Sequence, residues 1–314
     1  MKTKSNRIED IVTYIYNELK NKYSQNEIKA FINILFFEYT NMNSAHILAF
    51  KDDLVNESSL LNIVLATEKL KKYVPIQYII GHTEFCGLDI KVTPDVLIPR
   101  PETEELTHMI IKENQGKNLN IIDLCCGSGC IALALNKFIE NSFVLGIDIS
   151  EKALLVANEN NRNLDLNVNF TQMNLLNCEK NEFFSEINKF FLVISKNLNN
   201  NNLQRGLKND FKFDIIVSNP PYVLEKEQVM MKKNVLNYEP SQAIFVKDEN
   251  PLIFYEKIAN FAQNNLKIGG KIYLEINDKL ANETLSLFSQ KEYFAEIRQD
   301  IFGKDRFIFL QKSV

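Results

Sequence analysis

Four residues at the end of a strand-like run could do chemistry: Asn219, Pro220, Pro221 and Tyr222. They follow the apolar stretch DIIVS, so a polar amide would stand where a buried strand ends. The Asn219 side chain offers one carbonyl acceptor and the Pro220 main chain another, and two acceptors match the two hydrogens of an NH₂ group. The prolines fix φ and remove backbone donors that would compete. The motif therefore indicates a site that orients an amide or amine, although prolines that merely end a strand explain NPPY taken alone.

A second group of candidate residues lies between a strand and a helix, in DLCCGSGC. Gly127 and Gly129 would let the backbone approach a ligand closely and would supply free N–H groups at a helix start. Nineteen residues after Gly129, GIDIS ends the next strand with Asp148, placed as an acidic residue that accepts hydrogen bonds from a ribose diol. A nicotinamide dinucleotide is compatible with this arrangement, but its full glycine fingerprint is absent: Ala132 can serve as the last small residue, whereas Cys125 replaces an earlier glycine. Because many turns contain Gly-x-Gly for packing alone, the loop by itself leaves the ligand open.

The elements that must position these residues change type along the chain. Residues 1–74 have the apolar period of helices, and Ser24 with Glu27 forms a capping-box pattern ahead of one of them. EFCGLDIKVTPDVLIP alternates around Gly87, which predicts a β-hairpin. From about residue 119, short apolar strands alternate with helical segments, the pattern of an α/β protein with a doubly wound sheet. Ligands of such sheets bind at the carboxyl ends of strands, so we expect DLCCGSGC and NPPY to face one crevice.

Composition narrows the class of protein. With 314 residues, 45% of them hydrophobic, the chain is long enough for one large or two modest domains. It has no apolar run of membrane-spanning length and no signal-peptide pattern, so we expect a cytoplasmic protein. A net charge of -4 disfavours a nucleic-acid partner. Five cysteines without a CxxC pair and three scattered histidines predict neither a zinc site nor a disulfide framework.

Longer stretches match one family. They cover nearly the whole chain: PIQYIIGHTEFCGLDIKVTPDVLIPRPETEEL, DLCCGSGCIALAL, SNPPY, NYEPSQAI, GGKIYLEI and DIFGKDRFIF. In them the sequence resembles the HemK-type release factor glutamine N5-methyltransferases, of the class I S-adenosylmethionine-dependent methyltransferases. The resemblance implies a helical substrate-recognition domain (1–74), a linker with the hairpin (75–100) and a methyltransferase domain with a mixed seven-stranded sheet (101–314). It implies, as substrate, the glutamine in the Gly-Gly-Gln loop of class 1 peptide chain release factors. We expect a monomer with no membrane or DNA partner.

The resemblance also assigns site residues. S-adenosyl-L-methionine would be held by Asp123, Cys125, Cys126, Gly127, Ser128, Gly129, Asp148, Asn174, Leu175 and Asn219. The substrate glutamine would be bound and activated by Asn219, Pro220, Pro221 and Tyr222, with Tyr222 covering the planar amide and excluding water. The charge preferences of a helix start do not explain Arg100 of IPRPETEEL, so Arg100 is assigned to a contact with the cofactor or the substrate. Glu275 is at least as readily a satisfied strand-end carboxylate as a substrate contact. No metal is expected.

The chain departs from the family pattern in three places. Cys125 stands where the loop commonly has glycine, and a small thiol should be tolerated there. Asn174 and Leu175 stand where relatives often have an acidic residue and an aromatic or aliphatic one, which leaves the adenine contacts less defined. Residues of about 178–210 form an insert with a polar, Asn-rich part, which we interpret as a surface elaboration without catalytic content.

Other activities fit part of the pattern. An adenine N6-methyltransferase uses a similar PPY motif, because an exocyclic amine presents the same two hydrogens. The acidic composition and the lack of a basic target-recognition region argue against it. A ribosomal-protein glutamine N5-methyltransferase is the nearer alternative, but its linker typically reads PRSP where this chain has PRPETE. A nucleotide-binding module without activity would leave NPPY unexplained.

Overall fold

The computed structural model describes residues 3–177, 212–289 and 293–313, so the insert of about 178–210 lies outside the described residues. The chain forms two compact units. One comprises Met1–Gly81 with Lys232–Tyr238, and the other comprises His82–Met231 with Glu239–Val314. Within the described ranges, no helix is both long and apolar enough to cross a membrane.

The first unit consists of helices around an aliphatic core. Its helices are α1 (Ile8–Leu19), α2 (Gln25–Thr40), α3 (Ser44–Ala49), α4 (Glu57–Leu70) and α5 (Ile76–Ile80), joined by a later helix over Lys233–Tyr238. Ser24 Oγ accepts from the Glu27 N–H, and the Glu27 carboxylate accepts from the Ser24 N–H, so the predicted capping box is confirmed. The later helix is held by a Lys232–Glu27 ion pair of 3.0 Å and by a 2.8 Å bond from the Tyr238 hydroxyl to the Lys72 carbonyl.

The predicted hairpin around Gly87 is present in the second unit. β1 (His82–Phe85) pairs antiparallel with β2 (Leu88–Lys91), and the connecting Cys86 and Gly87 have φ of 51° and 74°. Left-handed conformations at both central positions form a type I′ turn, whose twist suits the paired strands. The Cys86 N–H donates to Glu104 Oε1 at 2.6 Å, which ties the turn to the helix that begins at Pro101.

The second unit continues with alternating helices and strands. In chain order these are α6 (Pro101–Asn114), β3 (Asn120–Leu124), α7 (Cys130–Phe138), β4 (Phe143–Asp148), α8 (Glu151–Asn163), β5 (Asn169–Gln172), β6 (Phe213–Ser218), β7 (Val223–Leu224), then α9 (Lys233–Tyr238, in the first unit), β8 (Phe245–Val246), α10 (Ile253–Asn265), β9 (Leu266–Glu275), α11 (Ala281–Ser289), β10 (Tyr293–Gln299) and β11 (Asp305–Lys312).

Seven of these strands form one sheet in the order β10, β11, β9, β6, β3, β4, β5. β3 pairs parallel with β4 and β6, whereas β11 is antiparallel to β9 and β10, so the predicted mixed sheet is confirmed. The central strands are apolar on both faces: Ile121 and Ile122 of β3 and Ile216 of β6 are fully buried. Such continuous apolar strands are typical of parallel sheets covered by helices.

Candidate active site

The candidate site lies at the carboxyl ends of β3, β4 and β6. β4 lies on one side of β3 and β6 on the other, so the order of strands reverses at β3, where doubly wound sheets bind ligands. Cys125, Asp148 and Asn219, one from the end of each strand or the loop after it, line a common cavity of about 500 Å³. The structure therefore brings DLCCGSGC, GIDIS and NPPY to one edge of the sheet.

The fourteen predicted site residues divide into two groups. Those that line the cavity are Cys125, Gly127, Asp148, Asn174, Leu175, Asn219 and Pro221. Those that do not are Asp123, Cys126, Ser128, Gly129, Pro220, Tyr222 and Arg100. For several of the second group, the contacts show what the residue does instead.

The two glycines of the loop after β3 have different roles. Gly129 has φ of 79°, and a Cβ there would lie 2.7 Å from Phe170 Cζ, so this glycine is required for packing. Gly127 has φ of 54° with open space around it, and its N–H donates to Asp148 Oδ2 at 2.8 Å. The expectation that Gly127 leaves its N–H free for a ligand is therefore wrong. Cys125 takes φ of 64°, a left-handed conformation that glycine adopts without strain.

Asp148 retains acceptor capacity toward the cavity. Its Oδ2 accepts from Gly127, and its Oδ1 accepts from the Ser150 N–H at 2.9 Å. Because a carboxylate has about four acceptor positions, capacity remains for a further donor such as a ribose hydroxyl. Burial raises the pKa of Asp148, and the hydrogen bonds from the backbone of Ser150, Gly127 and Ile149 oppose that rise.

Asp123 is fully buried behind the loop. Its Oδ2 accepts from the Ala132 N–H at 3.2 Å, and no described residue donates a hydrogen bond to its buried Oδ1. Burial raises the pKa of Asp123 well above its usual value, and the Asp148 charge adds to the rise. Asp123 thus supports the first turn of α7 and does not form part of the cavity wall.

We expect Asp123→Asn to gain stability relative to the wild type as pH rises. A carboxyl group whose folded-state pKa is raised contributes stability that is complete below its unfolded-state pKa of about 3.9. That contribution is lost as pH rises through the folded-state value, and asparagine has no such loss. Urea unfolding at a series of pH values from about 4 to 8 measures the difference. The exposed Asp248→Asn is the matched control. A difference between Asp123→Asn and wild type that stays constant with pH would contradict the expectation.

One wall of the cavity was missed by sequence reasoning. It is formed by residues 95–97 of the linker and by several residues between 240 and 254, among them Phe245 and Phe254. Apolar residues of a cavity wall follow no motif, so only the NYEPSQAI stretch, which supplies Pro240, Gln242 and Ala243 to this wall, gave a signal for it. Ile149 also lines the cavity and is 51% exposed. Its position directly after Asp148 was the signal available for it.

The NPPY residues are held from behind by a buried carboxylate. Asn219 Nδ2 donates to Thr103 Oγ1 at 2.9 Å, and Thr103 Oγ1 donates to Glu275 Oε2 at 2.7 Å. The other carboxylate oxygen, Glu275 Oε1, accepts from the Tyr222 hydroxyl at 2.8 Å. Burial raises the pKa of Glu275, and the hydrogen bonds from Thr103 and Tyr222 oppose that rise. Glu275 is thus a satisfied strand-end carboxylate, the simpler of its two interpretations.

The Tyr222 hydroxyl donates to Glu275, and neither residue lines the cavity. Its partly buried ring packs against the main core of the second unit. Burial raises the pKa of Tyr222 well above its usual value, and the Glu275 charge adds to the rise. The prediction that the ring covers a substrate amide therefore has no counterpart among the cavity-lining residues. Pro220 is buried beside it, and no described group donates a hydrogen bond to the Pro220 carbonyl.

Arg100 is committed to a buried partner. Its Nη2 lies 2.6 and 2.7 Å from the two carboxylate oxygens of Glu239, whose side chain is fully buried. Glu239 Oε2 also accepts from the Ile98 N–H at 3.3 Å. Because an unpaired buried carboxylate would be costly, Arg100 has a structural function that does not require contact with a ligand.

One group of side chains in the described part of the chain has metal-ligand types. The ligand atoms of Cys86, Glu104 and His108 lie within 4.8 Å of one another. Burial, with the nearby Glu104 charge, raises the pKa of Cys86 to about 12, so the thiolate that would bind a metal is disfavoured.

Comparisons with known proteins match the chain almost from end to end. A family model described as a methyltransferase domain matches residues 115–303. A release factor glutamine methyltransferase of Bacteroides thetaiotaomicron is 37% identical over 95% of this chain and 98% of that protein. The enzyme of the same name from Flavobacterium psychrophilum is 37% identical over 96% and 98%. That of Lactococcus lactis is 38% identical over 81% and 83%.

Proposed function

Since this chain belongs to the release factor glutamine methyltransferase family, we propose that it transfers a methyl group from S-adenosyl-L-methionine to a glutamine side-chain nitrogen. The substrate is the glutamine in the Gly-Gly-Gln loop of class 1 peptide chain release factors. One observation supports this most strongly: Asn219 lines the cavity with Asp148, and no described residue donates a hydrogen bond to its Oδ1. The reaction takes place in the cytoplasm, and the enzyme acts as a monomer.

S-adenosyl-L-methionine fits the chemistry of the cavity walls. The remaining acceptor capacity of Asp148 suits a ribose hydroxyl, and Ile149 and Leu175 provide apolar surface for the adenine. Asn174 Oδ1 accepts from the Leu176 N–H at 3.0 Å, so its NH₂ group is the better placed end to contact the ring. Bound there, the cofactor supplies a methyl group on a positively charged sulfur.

The residues of the chain act mainly by positioning the substrate nitrogen. A glutamine nitrogen is a poor nucleophile because its lone pair is delocalised into the carbonyl. Asn219 Oδ1 accepts one of its hydrogens at the cavity wall. The Pro220 carbonyl, which belongs to the buried residue beside it and has no described donor, is the acceptor that we propose for the other. Together they orient the nitrogen for attack at a separation of roughly 3 to 3.5 Å. Both acceptors bind the N–H groups more tightly as positive charge develops on the nitrogen. They therefore stabilise the transition state more than the ground state.

We propose that the helical unit binds the release factor outside its glutamine loop. α4 supports this because it presents Leu61 and Leu65, 57% and 52% exposed, one helical turn apart. Two exposed leucines on one face of a helix offer apolar area that a protein partner can bury.

Replacing Leu61 and Leu65 together with serine should raise KM for the intact release factor by about tenfold. A loss of two half-exposed leucines from an interface is worth roughly 1 to 2 kcal/mol. kcat, and activity on a short Gly-Gly-Gln peptide, should not change. Steady-state kinetics on both substrates measures this. Leu155→Ser is the matched control, because Leu155 is 64% exposed on α8 of the other unit. Equal KM values for the double variant and the wild type on intact factor would rule out this face.

The proposed activity is tested with a labelled methyl donor and three separate acceptors: a class 1 release factor, ribosomal protein and DNA. We expect label in the release factor and none after its Gly-Gly-Gln glutamine is changed to alanine. Label in ribosomal protein would support the ribosomal alternative. Label in DNA would support an adenine N6-methyltransferase.

A further inference from the structure

Asn219, Thr103 and Glu275 are joined by consecutive hydrogen bonds that all run in the same direction. Asn219 donates to Thr103 at 2.9 Å, and Thr103 donates to Glu275 at 2.7 Å. We infer that Thr103 and Glu275 are positioning residues that fix which end of the Asn219 amide faces the substrate. This inference rests on the proposed function, because it concerns how the glutamine NH₂ group is received.

The direction follows from the number of hydrogens available. A threonine hydroxyl has one hydrogen, and a carboxylate can only accept. Once Thr103 has donated its hydrogen to Glu275, its oxygen can only accept from Asn219. The NH₂ end of Asn219 must therefore face Thr103. Its Oδ1 is left to accept from the substrate.

Glu275 is held as an acceptor by a second donor. Tyr222 donates to its other oxygen at 2.8 Å, so each carboxylate oxygen receives one hydroxyl. Burial raises the pKa of Glu275, which the bonds from Thr103 and Tyr222 and the Arg306 charge oppose. Thr103 and Glu275 are 3% and 1% exposed, so water does not compete for these bonds. Buried and fully paired, such a network holds a side chain in one orientation.

A flipped Asn219 would reverse the chemistry of the site. Its NH₂ group would face the NH₂ group of the glutamine, and two donors cannot satisfy each other. The oxygen end and the NH₂ end of an amide have nearly the same shape, so packing alone does not select one orientation of the side chain. Thr103 and Glu275 determine which end of the amide faces the substrate. Thr103 lies in the first turn of α6, and Glu275 is the last residue of β9.

Thr103→Val tests the inference, since valine keeps the shape and removes the hydroxyl. We expect kcat on release factor to fall by about 10- to 100-fold, the scale of a misplaced catalytic group. S-adenosylmethionine affinity, measured by calorimetry, should stay within about twofold because Thr103 does not line the cavity. Thr103→Ser keeps the hydroxyl and should restore most of kcat.

Thr107→Val is the matched control. Thr107 is buried one turn further along α6, and its hydroxyl donates only to the Thr103 carbonyl at 2.8 Å. It should lower kcat by less than about threefold, because it has no bond to Asn219 or Glu275. If Thr103→Val fails to bind cofactor, Thr103→Ala is used instead of it. Alanine removes the same hydroxyl and favours the helical conformation.

A double-mutant cycle separates positioning from a general structural role. In an Asn219→Ala background, Thr103→Val should change the residual rate by less than about twofold, because Thr103 acts only through Asn219. Equal fractional losses in both backgrounds, or an unchanged kcat for Thr103→Val, would overturn the inference while leaving the proposed function intact. A wild-type enzyme that does not methylate release factor would overturn both.

Discussion

Asn219→Ala should lower the single-turnover rate of methyl transfer by about 10² to 10³, the scale known for loss of one preorganised polar group in an active site. Asn219 follows β6 and lines the cavity, its NH₂ group donates to Thr103, and no described residue donates a hydrogen bond to its Oδ1. Alanine removes the only side-chain acceptor proposed for the glutamine hydrogens. The loss should appear in kcat, because the acceptor binds more strongly as charge develops on the nitrogen.

Asn219→Asp is the graded comparison for that variant. It keeps an acceptor oxygen toward the substrate but replaces the NH₂ group that donates to Thr103 with a second oxygen. The single Thr103 hydrogen would then lie between two carboxylates, that of the introduced aspartate and that of Glu275, at a site where like charges repel. We expect partial activity, between the wild type and Asn219→Ala. Wild-type rates for Asn219→Ala on cofactor-saturated enzyme would contradict the proposed mechanism.

Asp148→Ala should weaken S-adenosyl-L-methionine binding by roughly 1.5 to 3 kcal/mol. That range corresponds to a rise in Kd of about 10- to 150-fold, since about 1.4 kcal/mol corresponds to each factor of ten. The variant loses the acceptors for the ribose hydroxyls. It also frees the Gly127 and Ser150 N–H groups that the carboxylate now holds. Calorimetric titration of the cofactor measures the change.

Glu151→Ala is the control for the general effect of charge. Glu151 is exposed in the first turn of α8, three residues after Asp148, and does not line the cavity. Its removal should change Kd by less than about twofold, because exposed charges interact weakly in salt. An Asp148→Ala enzyme with wild-type affinity would exclude Asp148 as a ribose ligand.

The positions of the site loops could be predicted because they depend on local patterns. Apolar runs ending at Asp148 and Asn219 mark strand ends, and parallel strands place those ends at one edge. The capping box at Ser24 and the turn at Gly87 involve residues within three positions of each other. At the capping box and the turn the interacting residues are neighbours in sequence, so the residue types are informative by themselves.

The partners of polar side chains could not be predicted in the same way. Arg100 pairs with Glu239, which is 139 positions away, and Thr103 pairs with Glu275, which is 172 positions away. No motif states which distant carboxylate a buried side chain will meet. That is why Arg100 was assigned to a ligand and Thr103 to no function. The Gly127 N–H was assigned to a ligand for the same reason, although it binds Asp148.

Tandem mass spectrometry of a release factor after a single incubation with enzyme and S-adenosyl-L-methionine shows which atom receives the methyl group. We expect one added methyl group, located on the side-chain nitrogen of the Gly-Gly-Gln glutamine, and no such addition when Asn219→Ala replaces the wild type under the same short incubation. A methyl group on any other residue, or an unmodified glutamine after prolonged incubation with the wild type, would contradict it.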